Sequence, residues 1–205
     1  MTRQIAQAAI TRHAAAARLG AGLELSLSRL ASVFAGLNGE AAARLIDTLL
    51  AAKTVFVAGA GRSGLAARCF AMRLAQLDVN VHVAGDTIAP AARAGDILLI
   101  LSGSGETPGM ALLAEKAVAF GADVAAVTAN SMGKIARLAK WAVILPVDAA
   151  SGEVADSPNG PLLPQPLASL FEQASLLFLD AISGELMFRL GRNEADMRNR
   201  HANLE

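Results

Sequence analysis

DILLILSGSGETP, residues 96–108, passes from an unbroken apolar run into a loop of glycines and hydroxyls, and then into a helix start. An apolar run of this length, bounded by turn residues, suits a strand buried on both faces. Thr107 stands where an N-cap belongs, and Pro108 where the first helical residue belongs. Outward from this stretch lie TVFVA (54–58), VNVHV (79–83), DVAAVT (123–128) and WAVILPV (141–147), each short and apolar. The segments between predict helices over about 64–77, 108–120 and 132–139, with at most a brief helix in 86–93. Strands alternating with helices give an α/β fold with a parallel sheet covered on both faces.

Both flanks are helical in pattern. Leu23, Leu27, Leu30, Phe34 and Leu37 recur at helical steps; Asn38 and Gly39 break the run; Leu45, Ile46, Leu49 and Leu50 mark a second helix. Residues 1–52 therefore form a helical arm and hairpin, 53–190 the core of one domain, and 191–205 a polar tail with a short helix. Pro158, Pro161 and Pro164 predict an irregular loop over 151–165. A long helix then runs to about Leu190, apolar on nearly every side and so expected to be buried, with Gly191 as its stop. The Ala- and Arg-rich N-terminus also fits a transit peptide. Its Ile5, Ala9 and His13 fit an ordinary helix.

With 54% apolar and 18% charged residues in 205, the chain can bury a sizeable core. Lys+Arg and Asp+Glu are both 18, so the formal charge is +0 and no basic stripe invites nucleic acid. The mean hydropathy of +0.43 owes much to alanine. No uncharged apolar run of about 18 residues suggests a membrane span. The single cysteine, Cys69, excludes an internal disulfide and favours a reducing cytoplasm. With Leu65, Met72 and Leu74 around it, it is expected to pack in the core. His82 reads as an ordinary strand histidine, and no His or Cys spacing suggests a metal.

The chemistry concentrates in two loops. In SGSGET, Gly103 and Gly105 permit a tight turn that exposes backbone amides. Ser102, Ser104 and Thr107 add hydroxyls at the helix start. Together these suit a small dianion, such as a phosphate monoester; a capped Gly/Ser turn is the plain alternative. A nucleotide P-loop is excluded, because Glu106 stands where that motif needs lysine. Glu106 must point away from the anion or accept a sugar hydroxyl. The second loop, GAGRSG (59–64), matches the spacing of the dinucleotide fingerprint, and Asp86 lies 22 residues beyond Gly64, where a ribose-binding acid is sought. An NAD-binding dehydrogenase is therefore a real rival. Against it, Arg62 and Ser63 are donors suited to sugar hydroxyls or phosphate, and hydride transfer leaves SGSGET without a task.

GAGRSG, SGSGET, the TAN of 128–130 and the FEQ of 171–173 resemble the sugar isomerase (SIS) domain family, over nearly the whole chain. Arg62, the helical N-terminus and the ending RNRHANLE are similar to its ketohexose-phosphate branch. The resemblance implies a flavodoxin-like αβα sandwich, assembled as a homotetramer. It implies interconversion of 3-hexulose 6-phosphate and fructose 6-phosphate through an enediol, in the ribulose monophosphate route of formaldehyde fixation, with neither metal nor redox cofactor. It also implies that Ser63 and the loop of Ser102, Gly103, Ser104, Gly105, Glu106 and Thr107 bind the phosphosugar, with Arg62 beside them. Glu172 would be the proton-transferring base, and His201 would enter from a neighbouring subunit.

The residues themselves support part of this. Moving a carbonyl between C2 and C3 needs one base that takes a carbon-bound proton and returns it. Glu172 sits at a helix start among apolar neighbours, although acids are common there for electrostatic reasons alone. Asn130 ends a strand on the edge where open α/β sheets bind ligands, or caps a turn. Arabinose 5-phosphate and sedoheptulose 7-phosphate isomerases remain rivals. So does a non-catalytic sugar-phosphate sensor, which would be expected to carry a basic DNA-binding region absent from residues 1–52.

Overall fold

In the computed structural model, which describes residues 2–147 and 165–204, the apolar runs become five parallel strands. These are β1 (Val55–Gly59), β2 (Val81–Val83), β3 (Ile97–Leu101), β4 (Asp123–Thr128) and β5 (Trp141–Ile144). Their order, β2-β1-β3-β4-β5, is the flavodoxin-like one. The helices are α1 (Thr2–Ala35), α2 (Gly39–Ala51), α3 (Gly61–Gln76), α4 (Pro108–Ala119), α5 (Lys134–Leu138), α6 (Ser169–Arg189) and α7 (Glu194–Asn199).

Alternation along each strand sorts side chains to two faces. Val55, Val57, Ile97, Leu99, Leu101 and Val127 meet α1, α2, α3 and α6, through Val33, Leu45, Phe70, Leu74, Phe178 and Ile182 among others. Phe56, Ala58, Leu98, Ile100, Val124 and Ala126 meet α4 and α5, through Ala111, Ala114, Ala117 and Ile135. Asn38 caps α2, accepting from the Ala41 amide at 3.1 Å, so the expected hairpin forms.

Several expectations need correcting. Helix α3 starts at Gly61, because that glycine takes φ +57° and draws Arg62 and Ser63 into its first turn. Residues 84–95 hold no helix; Gly85 and Gly95 at φ +91° and +94° turn the chain instead. The VNVHV strand narrows to Val81–Val83, which pair with residues 55–57 of β1, and Asp78 just before it takes φ +70°. The helix expected over 132–139 narrows to Lys134–Leu138, and WAVILPV ends as a strand at Ile144.

Cys69 is exposed rather than buried, with Leu65 and Met72 beside it at 62% and 47% exposure. The stripe that α3 turns inward is Ala66, Ala67, Phe70, Ala71 and Leu74. Helix α6 is not buried all round. It packs with Leu170, Phe171, Ala174, Phe178, Leu179 and Ile182 and leaves Leu176, Leu177 and Phe188 exposed. On α1, Leu19, Leu23 and Leu27 also face outward. The loop expected over 151–165 falls outside the described residues except for Gln165, and so do the side chains of Ile5, Ala9 and His13. No helix among the described residues is long and apolar enough to cross a membrane.

Candidate active site

β1 has β2 on one side and β3 on the other, so the chain reverses its winding direction there. Ligands bind open sheets of this kind in the crevice at the carboxyl ends of such strands. Both glycine loops begin at those ends.

The first loop brings backbone against backbone. A Cβ on Gly64 would lie 2.5 Å from the Gly59 carbonyl oxygen, and one on Gly59 would lie 2.8 Å from the Ser63 carbonyl carbon. The glycines thus let α3 start directly over the end of β1, with Arg62 and Ser63 at its head.

The second loop is pinned along one side. The Gly103 carbonyl accepts from Ala129 N at 3.1 Å and from Thr128 Oγ1 at 3.3 Å. The Ser104 carbonyl accepts from Asn130 Nδ2 at 3.0 Å, and the Gly105 carbonyl from Ile135 N at 2.9 Å. Gly105 sits at φ +66° against Gly133, where a Cβ would come within 3.2 Å of the Gly133 Cα. Thr107 occupies the N-cap position of α4, but its hydroxyl makes no cap bond; it pairs with Ser102 Oγ at 3.0 Å. Glu106 stands between the loop and the start of α5. Its Oε1 accepts from the Lys134 amide at 2.7 Å, which commits the carboxylate to the head of α5.

Glu172 lies in the first turn of α6, which the chain enters through Ala168 at φ +63°. Its carboxylate oxygen Oε2 is 2.5 Å from Arg62 Nε, with the Glu172 side chain 13% exposed and that of Arg62 58%. This is an ion pair across the α3–α6 contact, without hydrogen-bond alignment at the buried Oε2. The preceding residue, Phe171, packs its ring on Gly103, where a Cβ would come within 3.1 Å. Residues 171–172 therefore touch both loops, and Arg62, Glu172 and the SGSGET backbone form one cluster.

His201 stands apart from that cluster in its own chain. It is exposed and lines a hollow of about 210 Å³ with Arg73, Gln76, Met197 and Arg198. Arg73 is eleven residues beyond Arg62 on α3, roughly 16 Å at the rise of a helix. Arg192 and Arg200 fasten the tail by meeting Asp78 Oδ2 at 2.9 and 3.1 Å.

Asp86, the acid of the dinucleotide reading, is held by Arg68 through contacts of 2.7 and 3.2 Å. Those hydrogen bonds, and then the Asp86 charge, raise the Arg68 pKa above its ordinary value. His82 packs its ring 5.9 Å from that of Phe56, as a strand residue does. Among the described residues, no group of three or more His, Cys, Asp or Glu could hold a metal ion. Sequence reasoning missed Thr128 and Phe171 as supports of the second loop, although TAN and FEQ were the signals that contained them.

The SIS domain model matches residues 48–159. The chain belongs to the SIS domain family. It is 40% identical to the 3-hexulose-6-phosphate isomerase of Bacillus subtilis (strain 168) over 180 residues, covering 87% of this chain and 95% of the relative. It is 39% identical to the Mycobacterium gastri enzyme of the same name, covering 89% of each chain. The crystal structure of a Methanococcus jannaschii protein, for which the function of 3-hexulose-6-phosphate isomerase was inferred, matches with TM-score 0.74 and 31% identity, over 89% of this chain and 98% of that one.

Proposed function

We propose that this protein is a phosphosugar isomerase interconverting 3-hexulose 6-phosphate and fructose 6-phosphate, the step named for these relatives. One observation carries the reading: Phe171–Glu172 joins a carboxylate to a loop of amides and hydroxyls built for a dianion. Ser102, Ser104, Thr107 and the loop amides hold the C6 phosphate, and Ser63 and Arg62 meet the sugar. Glu172 takes the proton from C2 of the 3-ketose, and C2 and C3 become an enediol as O3 gains a proton. Loss of the O2 proton and return of the carbon proton to C3 leaves the carbonyl at C2, so the step is redox-neutral overall. His201 of a neighbouring subunit assists at a sugar oxygen. The exposed apolar residues of α1, α3 and α6 supply surface for a homotetramer. The setting is cytoplasmic, with the free Cys69 in keeping.

Incubation with 3-hexulose 6-phosphate, without added metal or nicotinamide, should yield fructose 6-phosphate. Turnover of arabinose 5-phosphate or sedoheptulose 7-phosphate alone would move the substrate. Tight binding of NADH would restore the dehydrogenase.

Ser104→Ala and Thr107→Val should each raise KM about 10- to 100-fold, since a hydrogen bond to a charged group is worth about 1.5–3 kcal/mol. Thr107→Val should also lower Tm. The reason is the buried Ser102 hydroxyl, which loses its partner, and not loss of a cap. An unchanged KM in both variants would place the phosphate elsewhere.

A further inference from the structure

We infer that Asn130 is a positioning residue of the phosphate loop, a latch that keeps the Ser104–Gly105 peptide from flipping; this rests on the reading that SGSGET holds a phosphate. In a trans peptide the N–H and C=O point in opposite directions. Asn130 Nδ2 ties the Ser104 carbonyl to the β4–α5 connection at 3.0 Å. The N–H of the same peptide, that of Gly105, is thereby aimed at the Ser102 carbonyl, which accepts it at 3.1 Å. The neighbouring peptides have their own anchors. The Gly103 carbonyl is held by Ala129 N and Thr128 Oγ1, and the Gly105 carbonyl by Ile135 N. Those bonds turn the amides of Ser104 and Glu106 away from β4 and α5; the Glu106 amide then meets Ser104 Oγ at 3.2 Å, and the Ser104 amide is left for the anion. The Ser104–Gly105 peptide is the one whose carbonyl is held by a side chain alone.

That peptide is also the one best able to rotate. Gly105 sits at φ +66° and can reach either sign of φ at low cost. A flip would break the Gly105 N–H to Ser102 bond. It would also bring the Ser104 carbonyl round to face the Ser102 carbonyl, acceptor against acceptor, and so distort the turn that shapes the loop. Asn130 is itself well seated. Its Oδ1 accepts from Met132 N at 3.0 Å, and its backbone N–H donates to Thr128 Oγ1 at 3.1 Å. The carboxamide thus spans from the turn before α5 to the middle of the phosphate loop. Alanine at 130 removes the latch without deleting any atom of the loop itself.

The test compares inhibition by inorganic phosphate in wild-type protein and Asn130→Ala. Wild-type protein should show competitive inhibition by phosphate. Its absence would remove the phosphate-loop reading itself, and the latch with it. Given that inhibition, Asn130→Ala should weaken the phosphate Ki and raise KM together, by about tenfold, the equivalent of 1.4 kcal/mol. Saturating kcat and Tm should stay close to wild type. Should the alanine variant not fold, Asn130→Asp retains the acceptor for Met132 N and loses only the donor to Ser104. It is measured at high ionic strength, where its added charge is screened, and the same parallel rise is expected. Unchanged Ki and KM would overturn the inference. So would a loss of kcat with Ki unmoved, because that places Asn130 at the chemistry and not at the phosphate.

Discussion

Glu172→Gln is expected to lower kcat by about 10²–10⁴-fold, the usual worth of general acid–base catalysis, with the phosphate Ki nearly unmoved. Glutamine keeps the length and the hydrogen-bonding reach of the side chain but cannot accept a carbon-bound proton. The site separates the two functions in space. Glu172, the proposed base, sits on α6, while the SGSGET loop, the proposed phosphate site, joins β3 to α4, and they touch through Phe171 and Gly103. Losing one should therefore leave the other standing. The substitution also removes the charge partner of Arg62. Steady-state kinetics with phosphate as competitive inhibitor reads both quantities. A variant that keeps wild-type kcat would remove Glu172 from the chemistry.

The second large effect concerns the tail. Deleting residues 194–205 should abolish most activity while the sheet stays folded, and His201→Ala should reproduce much of the loss. In its own chain His201 stands beside Arg73 and Gln76, well along α3 from Arg62. A catalytic role therefore requires a second copy. Mixing Glu172→Gln protein with tail-deleted protein makes sites that pair an intact Glu172 with an intact tail. Activity should return in the mixture although neither parent has it. No recovery despite measured subunit exchange would exclude a shared site. Met197 packs against the main core, and Asp78 holds Arg192 and Arg200. The tail should thus keep its course up to α7 after His201→Ala, so the point variant probes the imidazole and the deletion probes the whole segment.

The sheet was legible in the sequence because its central strands β1, β3 and β4 are buried on both faces. ILLIL has no polar side, and such runs fit few other structures. The SGSGET loop stood out for a related reason: two glycines and three hydroxyls follow directly on such a strand. Side-chain direction within helices was not legible. Cys69 shares an apolar stripe of α3 with Leu65 and Met72, and only packing against α6 and the sheet decides that the other stripe, Ala66, Phe70 and Leu74, turns inward. Helix α6 misled for a similar reason, since an all-apolar surface gives no phase and Leu177 reads the same as Leu179. The tasks of Glu106 and Asn130 were hidden because they depend on a partner 28 or 26 residues away. Local spacing cannot report that partner.

The pinned carbonyls of the anion loop also bear on the thermodynamics of ligand capture. A loop whose peptides are already fixed by β4 and α5 has surrendered its conformational entropy during folding, about 1–2 kcal/mol per residue. On the proposed reading, phosphate meets a rigid cradle and need not order one. Ligand should accordingly act on the native population as a whole, raising the unfolding free energy by RT ln(1 + [L]/Kd). Amide exchange in residues 102–107 should already be slow without ligand wherever the amide is hydrogen-bonded, as at Gly105. Adding phosphate should slow it chiefly at Gly103, Ser104 and Thr107, whose amides make no hydrogen bond among the described residues.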